Sequence, residues 1–271
     1  MFNAQALSPG EVVVLLDPNA ARAREALKVT VLSLLVKGVF RIQEKLQTGL
    51  LKRVKRSTVL ALSPSAATAL PGPEGAVFQA LAPVGPDGEA MPAAVARLQK
   101  QFGKDLSRFV SDHVRPALIA RGLLEPYRDK FLWIFPVTRY RPTPTGEVEQ
   151  RRLQGLMQQA REIPSYLDRD PAQAVAIMAA LGGSVLLVEE LRPHLSQLGT
   201  LMSAPLDAPL FGTDDASWSD ISDNLSAVDF SDLDFSSFDA LDQALADFDA
   251  SFDTGSDSSD SSSDSGGSGG D

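Results

Sequence analysis

The sequence predicts a mainly helical chain with small β-hairpins and a long acidic tail, and three observations support this fold class. Apolar stretches with helical spacing end at Gly38 and at Gly122, and a glycine directly after a helix is a common stop signal. A short strand-like run follows each glycine. After residue 200 the chain contains no Lys or Arg, and Asp, Ser and Gly are the most frequent residues.

The two glycine junctions belong to segments that begin alike, which predicts a tandem repeat. Leu7-Ser-Pro-Gly-Glu11 is echoed by Leu70-Pro-Gly-Pro-Glu74, with a Pro inside and a Glu four residues after the Leu. Residues 34–42 and 118–126 also match across the helix–glycine–strand junction. Helices followed by a hairpin outline a winged helix, so we interpret the chain as tandem winged-helix-like units.

The first winged-helix-like unit is predicted over residues 1–65. Ser8 and Glu11 form a capping-box pattern before a short helix over 12–16, and a longer helix is expected over 20–37. Apolar and β-branched residues over 39–42 and 54–62 predict two strands that pair as a hairpin.

The second unit is predicted over residues 66–165. Residues 83–92 are expected to form a loop, and helices follow over 93–101 and 104–121. Pro116 should kink or restart the second of these helices, because proline lacks the backbone N–H. Arg128-Asp129-Lys130 is predicted as a hairpin turn, with a strand over 131–135 and a helix over 145–162 after it.

Residues 166–200 are predicted to form a helical cap, in which Asp168 and Asp170 begin a helix that reaches Leu181. The apolar stretch 172–188 is short for a membrane span and contains Gln173. We therefore expect buried helices there. The first residues lack the pattern of a signal peptide, which favours a cytoplasmic protein, with peripheral membrane attachment as the alternative.

Residues 201–271 form an acidic tail that is expected to be mostly disordered. Up to residue 200, the 25 basic and 18 acidic residues give a charge of +7; the 17 Asp residues beyond it give −17, for the net −10 of the chain. A basic body of this kind attracts nucleic acid, anionic lipid or its own tail.

One part of the tail has the pattern of an amphipathic helix. Its apolar residues recur at spacings of 3 and 4 and would share one face, with Asp on the other: Phe238, Leu241, Leu245, Phe248 and Phe252. Such a helix is marginal alone because its Asp residues repel one another. These five residues are the candidates for docking on the basic body.

Two basic groups are the candidates for binding an anionic lipid or a nucleic acid. The first, on or beside the first hairpin, comprises Lys52, Arg53, Lys55 and Arg56; they could contact phosphates or simply protect a strand edge. The second is Arg139, Tyr140 and Arg141 in the second hairpin, which suits phosphate or base contacts and equally a cation–π pair with Trp133.

No catalytic or cofactor-binding pattern stands out. The chain has no Cys and only two His, which excludes thiol chemistry and cysteine-based metal sites. A phosphate-binding glycine loop, a metal-ligand set and a nucleophile elbow are all missing from the sequence. We therefore expect no enzymatic activity, no cofactor, no resident metal and no small-molecule substrate.

Two resemblances can be named on the second unit and its flanks. Arg121-Gly122-Leu123-Leu124, Phe135-Pro-Val-Thr-Arg-Tyr140 and Asp170-Pro171-Ala172 resemble the bacterial Golgi phosphoprotein 3-like family over residues 118–195. That resemblance implies a mostly helical fold, and eukaryotic members of the family bind phosphoinositide head groups. The repeat with the Ser/Asp/Gly-rich tail is similar to an uncharacterised group of bacterial proteins with paired winged-helix-like units.

The leading hypothesis is a non-enzymatic regulatory or protein-interaction module whose acidic tail masks a basic surface. The helices that would read DNA in a winged helix are apolar here, which favours a protein partner over nucleic acid. A peripheral membrane protein that binds anionic lipid head groups is the second hypothesis, and a DNA-binding regulator is the third.

Overall fold

The structure is a computed structural model, which describes residues 7–19, 22–48, 54–63, 70–131, 135–167, 169–194, 246 and 248–251. In this part of the chain the fold is mainly helical with small antiparallel hairpins, as the sequence predicts. The helices surround one continuous apolar core.

The first segment contains α1 (Pro9–Leu16), α2 (Ala23–Val36), β1 (Phe40–Thr48) and β2 (Val54–Leu62). The predicted capping box is present: the Ser8 hydroxyl accepts from the Glu11 amide, and the Glu11 carboxylate accepts from the Ser8 amide. β1 and β2 pair antiparallel from Phe40 opposite Leu62 outward. β1 is longer than predicted because ladder pairing continues through its polar half.

A third strand joins this sheet, which corrects the prediction of a loop over residues 83–92. After α3 (Gly72–Leu81) and a 3₁₀ turn at Ala82–Val84, β3 (Glu89–Ala90) pairs with β2 and leads directly into α4 (Met91–Phe102). The Leu62 amide also donates to Gly85 O at 2.8 Å. Local composition predicts a loop here, but the free edge of β2 provides partners for the backbone.

The helix before Gly122 contains a π-turn. It comprises α5 (Ser107–Phe109), a π-turn over Val110–Val114 and α6 (Arg115–Ala120). Pro116 lies in the first turn of α6, so the helix restarts there as predicted, and the wider turn replaces the ordinary hydrogen-bond pattern before a residue without an N–H. The helix begins later than predicted because Leu106 has a left-handed backbone with φ of 59°.

The second hairpin is longer than the sequence suggests, and its predicted turn was wrong. β4 (Leu124–Phe131) pairs with β5 (Phe135–Pro142), and Phe131 lies opposite Phe135. Arg128-Asp129-Lys130 therefore lies within β4. Of the strand predicted over 131–135, Phe131 belongs to β4 and Phe135 to β5, and residues 132–134 lie outside the described residues. The charged residues form a strand because they are opposite partners on β5, which no local turn signal reveals.

The remaining helices are α7 (Pro144–Ala160), α8 (Ile163–Tyr166) and α9 (Pro171–Leu181), followed by 3₁₀ turns over 182–187 and 189–194. Most of the large apolar side chains described in α9 and in the turn after it are buried in the common core, as predicted for the stretch 172–188. Across the described ranges, no helix combines the length and the apolar character needed to cross a membrane.

The two helix–glycine–strand junctions have the same geometry. Gly38 and Gly122 have φ of 64° and 69°. In each junction the residue after the glycine donates to a carbonyl five residues earlier, at 2.9 Å in both cases (Val39 to Leu34, Leu123 to Leu118). The carbonyl oxygen of each residue after the glycine also accepts a hydrogen bond from the backbone N–H at the end of the following hairpin, at 3.0 Å in both junctions. This is the cap expected where a glycine ends a helix.

The two segments are joined by a pair of reciprocal ion pairs. Lys37, which precedes Gly38, lies 2.6 Å from the carboxylate of Glu74 at the start of α3. Arg121, which precedes Gly122, lies 3.4 Å from Glu11 at the start of α1. Both carboxylates are buried. Each half of the chain therefore supplies the cation for the buried carboxylate of the other half.

Removal of one cation should lower the free energy of unfolding more than removal of both charges of its ion pair. Lys37→Met leaves the Glu74 carboxylate buried with the Ser33 hydroxyl as its remaining donor, and we expect the free energy of unfolding in urea to fall by about 1–3 kcal/mol. Lys37→Met with Glu74→Gln should recover part of that loss. Lys100→Met, at an exposed lysine on α4, is the control and should change stability by less than about 0.5 kcal/mol. Additive effects of the two substitutions would contradict this account.

Candidate functional site

The candidate site is the face of α2 on which a short acidic segment of the tail lies. Residues 248–251 are helical, and Phe248 is 3% exposed and part of the common apolar core. A residue from the acidic tail thus completes the core of the body, more than 50 residues after the last described residue of the body, His194.

Asp249 makes polar contacts with two cations of α2. Its carboxylate accepts a hydrogen bond from Lys28 Nζ at 2.5 Å. Arg24 Nη2 donates to the Asp249 carbonyl oxygen at 2.6 Å and lies 3.4 Å from Oδ1. The segment is therefore held by one buried aromatic ring and by two cations that contact the next residue.

The local structure of α2 places these two cations side by side. Arg24 and Lys28 are four residues apart, so they share one face of the helix, while Ala23, Ala26 and Leu27 are buried. The Lys28 side chain is only 18% exposed. Its ammonium group thus meets Asp249 where water is partly excluded, and an ion pair there is stronger than one at an open surface.

The second segment does not offer the same pair of cations. Gly38 and Gly122 are equivalent and lie 84 positions apart, so by count along the chain the positions of Arg24 and Lys28 hold Arg108 and Asp112. The π-turn over Val110–Val114 also shifts these two side chains around the helix axis relative to the regular α2. Both of these residues are exposed. A carboxylate in place of the lysine would repel Asp249, which gives a physical reason for an acidic segment to prefer α2.

The five tail-docking candidates differ in what the structure describes. Phe248 is the one whose placement is described, and it is buried. The other four, Phe238, Leu241, Leu245 and Phe252, lie outside the described residues. The amphipathic pattern included Phe248, whereas the residue that forms the ion pairs, Asp249, did not stand out among the many Asp of the tail.

The first basic group is only partly described. Lys52 and Arg53 lie outside the described residues. Lys55 and Arg56 are backbone positions on β2, opposite Gln47 and Leu46, and their side chains lie outside the described part of the structure. Their proposed contact with phosphates therefore stays a prediction.

The second basic group pairs with carboxylates of its own hairpin. Arg139 Nε lies 2.9 Å from Asp129 Oδ2, and Arg141 Nε lies 2.7 Å from Glu125 Oε1. Glu125 is directly opposite Arg141 in the register. The two cations are thus balanced within the hairpin, which lowers the attraction of this surface for an external anion. The pairing depends on strand register, which the sequence did not reveal.

Tyr140 has a role in joining the second hairpin to the first segment. The Arg115 guanidinium lies 4.5 Å from the centre of its ring, a distance typical of a cation–π contact. Its backbone N–H and C=O bond both ends of the Asn19 amide, at 3.0 and 2.7 Å. Trp133, the alternative cation–π partner, lies outside the described residues.

The functional residues that the sequence reasoning missed are Arg24 and Lys28. Arg24 and Lys28 lie four residues apart on a helix rich in apolar residues, which is a weak signal beside the denser basic group of residues 52–56. Among the described residues, no cluster of three or more His, Asp or Glu side chains could hold a metal ion.

No family model matches the chain, and no curated protein shows significant sequence similarity to it. The two resemblances given by the motifs of residues 7–195 therefore stay predictions.

Loss of the buried Phe248 ring should expose the segment around Asp249 to cleavage more than loss of the Lys28–Asp249 ion pair does. We expect Phe248→Ala to speed cleavage before Asp249 by the protease Asp-N at least fivefold, and Lys28→Met to speed it about two- to threefold. A buried aromatic ring contributes about 2 kcal/mol or more, and a half-exposed ion pair about 1 kcal/mol or less.

Cleavage sites are mapped by mass spectrometry on the full chain, with the site before Asp207 as an internal reference. Cleavage before Asp249 that is as fast in the unsubstituted chain as in the Phe248→Ala chain would show that the contact is not maintained in solution.

Proposed function

We propose that the protein is a non-enzymatic regulatory interaction module that recognises an aromatic–acidic helical segment on α2, and that its own tail occupies this site until a partner with the same chemistry displaces it. The observation that carries the proposal is Phe248, buried in the core of the body, with Asp249 hydrogen-bonded to Lys28 at 2.5 Å.

The energy of the contact suits an exchangeable ligand. Burial of the ring contributes about 2 kcal/mol, and the contacts of Asp249, which is 41% exposed, add about 1 kcal/mol. Ordering the backbone costs about 1 kcal/mol or more for each residue that is fixed. The cost offsets part of the gain and leaves a contact of modest net strength, so a competing segment of similar chemistry can replace the tail.

Charge supports an acidic partner. The body up to residue 200 has a charge of +7, from 25 basic and 18 acidic residues. A positive body attracts acidic segments over a distance of about 10 Å at moderate salt and increases their association rate. A partner that competes with the tail should therefore carry acidic residues beside its aromatic anchor.

The proposal includes the finer interpretation of the fold. Each segment has helices, a glycine cap and an antiparallel hairpin in the order of a winged helix, so we interpret them as tandem winged-helix-like units. In such a unit DNA is read by an exposed helix in the major groove. Residues 29–36 of α2 are all buried, which supports a protein partner instead of DNA for the first unit.

A peptide titration tests the proposal on the full chain. The probe is a fluorescein-labelled peptide with the sequence of residues 244–254, and binding is followed by fluorescence anisotropy. A chain with Phe238→Ser and Phe248→Ser, whose tail lacks both aromatic anchors, should bind the peptide at least tenfold more tightly than the unsubstituted chain, because no internal segment competes.

Lys28→Glu in the same tail-substituted chain should weaken binding about tenfold or more, since Asp249 of the peptide would meet a carboxylate. Lys100→Glu, at an exposed lysine on α4, changes the net charge equally and is the matched control. Equal binding by the Lys28→Glu and Lys100→Glu chains would rule out α2 as the binding surface.

A further inference from the structure

The tail contains a second copy of the docked residues. Phe248-Asp249-Ala250, which lies on α2, is repeated without change as Phe238-Asp239-Ala240, ten residues earlier. The structure shows which parts of this tripeptide are used: the ring is buried, and the Asp carboxylate and its backbone carbonyl contact Lys28 and Arg24. The earlier copy carries every group that these contacts require.

We propose that Phe238-Asp239-Ala240 is a second ligand for the α2 site, so that the tail occupies one site in either of two registers. This inference rests on the proposed function and adds to it the identity of the competing segment. Since one chain has two copies of the tripeptide and one such site among its described residues, occupation by one copy leaves the other available.

The residues after the earlier copy favour the helical conformation that the site holds. The docked residues 248–251 are helical. Phe238-Asp239-Ala240 continues as Leu-Asp-Gln-Ala-Leu-Ala, which is rich in good helix formers. Phe252-Asp253, a third aromatic–acidic pair, is followed by Thr-Gly-Ser, which disfavours a helix. The second ligand is therefore Phe238 and not Phe252.

Chain length allows both registers. Phe238 follows His194 by 44 residues and Phe248 follows it by 54, from the residue numbers. A random-coil chain of 44 residues spans about 36 Å on average, and one of 54 residues spans about 40 Å. Their effective concentrations at the site differ by only about 1.4-fold, because these fall with the 3/2 power of length. The residues around the tripeptide, and not the length of the connection, therefore determine which register is preferred.

Photo-cross-linking in the full chain tests the exchange. A p-benzoylphenylalanine replaces Glu25, an exposed residue of α2 between the two cations, and the linked peptides are identified by mass spectrometry. The unsubstituted tail should link mainly through residues 246–252. With Phe248→Ala, the links should move to residues 236–242, with a yield at least half as large.

The double substitution Phe238→Ala with Phe248→Ala should reduce the yield at least fivefold. Phe235→Ala is the matched control, because Phe235 is followed by Ser236 instead of Asp, and it should leave the pattern unchanged. Loss of all links in the Phe248→Ala chain, with none gained at residues 236–242, would overturn the second register.

Two further outcomes separate this inference from the proposed function. In an equimolar mixture of light and heavy isotope-labelled chains, links between light and heavy chains as frequent as links within a chain would overturn an exchange within one molecule. If the peptide of residues 244–254 binds α2 but the Phe248→Ala links do not shift, the second register is wrong and the interaction site stands. If that peptide does not bind, the interaction site itself is wrong.

Discussion

The exchange of charges between the two halves of the chain is the constraint on which the rest of the structure depends. Glu11 and Glu74 are both buried in the first turns of helices, where the helix dipole favours a carboxylate. Each takes its cation from the residue before the glycine of the other half. Neither half can therefore keep its buried carboxylate neutralised unless the other half is in place.

This constraint also fixes the position of the tail site. α2 packs between α1 and α3 and ends at Val36, directly before Lys37. Lys37 is the cation for Glu74 of the other half, and Arg24 and Lys28 contact the tail. The same helix thus has a buried face in the common core and a partly exposed N-terminal part that contacts Asp249.

The second hairpin illustrates why charge counted along a sequence is a poor guide to a binding surface. Arg139 and Arg141 are conspicuous in the sequence, and yet each is balanced by a carboxylate of the neighbouring strand. Arg24 and Lys28 are inconspicuous, and they meet a ligand. The two cases differ in which acidic residues lie near the cations in space, those of the neighbouring strand or those of the tail. That depends on strand register and helix packing.

Local patterns by themselves determined the helical class, the capping box at Ser8, the glycine stops at Gly38 and Gly122 and the repeat of the opening motif. Each depends on backbone preferences or on periodicity, which neighbouring residues specify. Only the tertiary structure decided the pairing of β3 with β2, the register that places Glu125 opposite Arg141, and the contact of Asp249 with Lys28. Those features join residues that are distant along the chain, and their energies depend on burial and on distances that no local pattern contains.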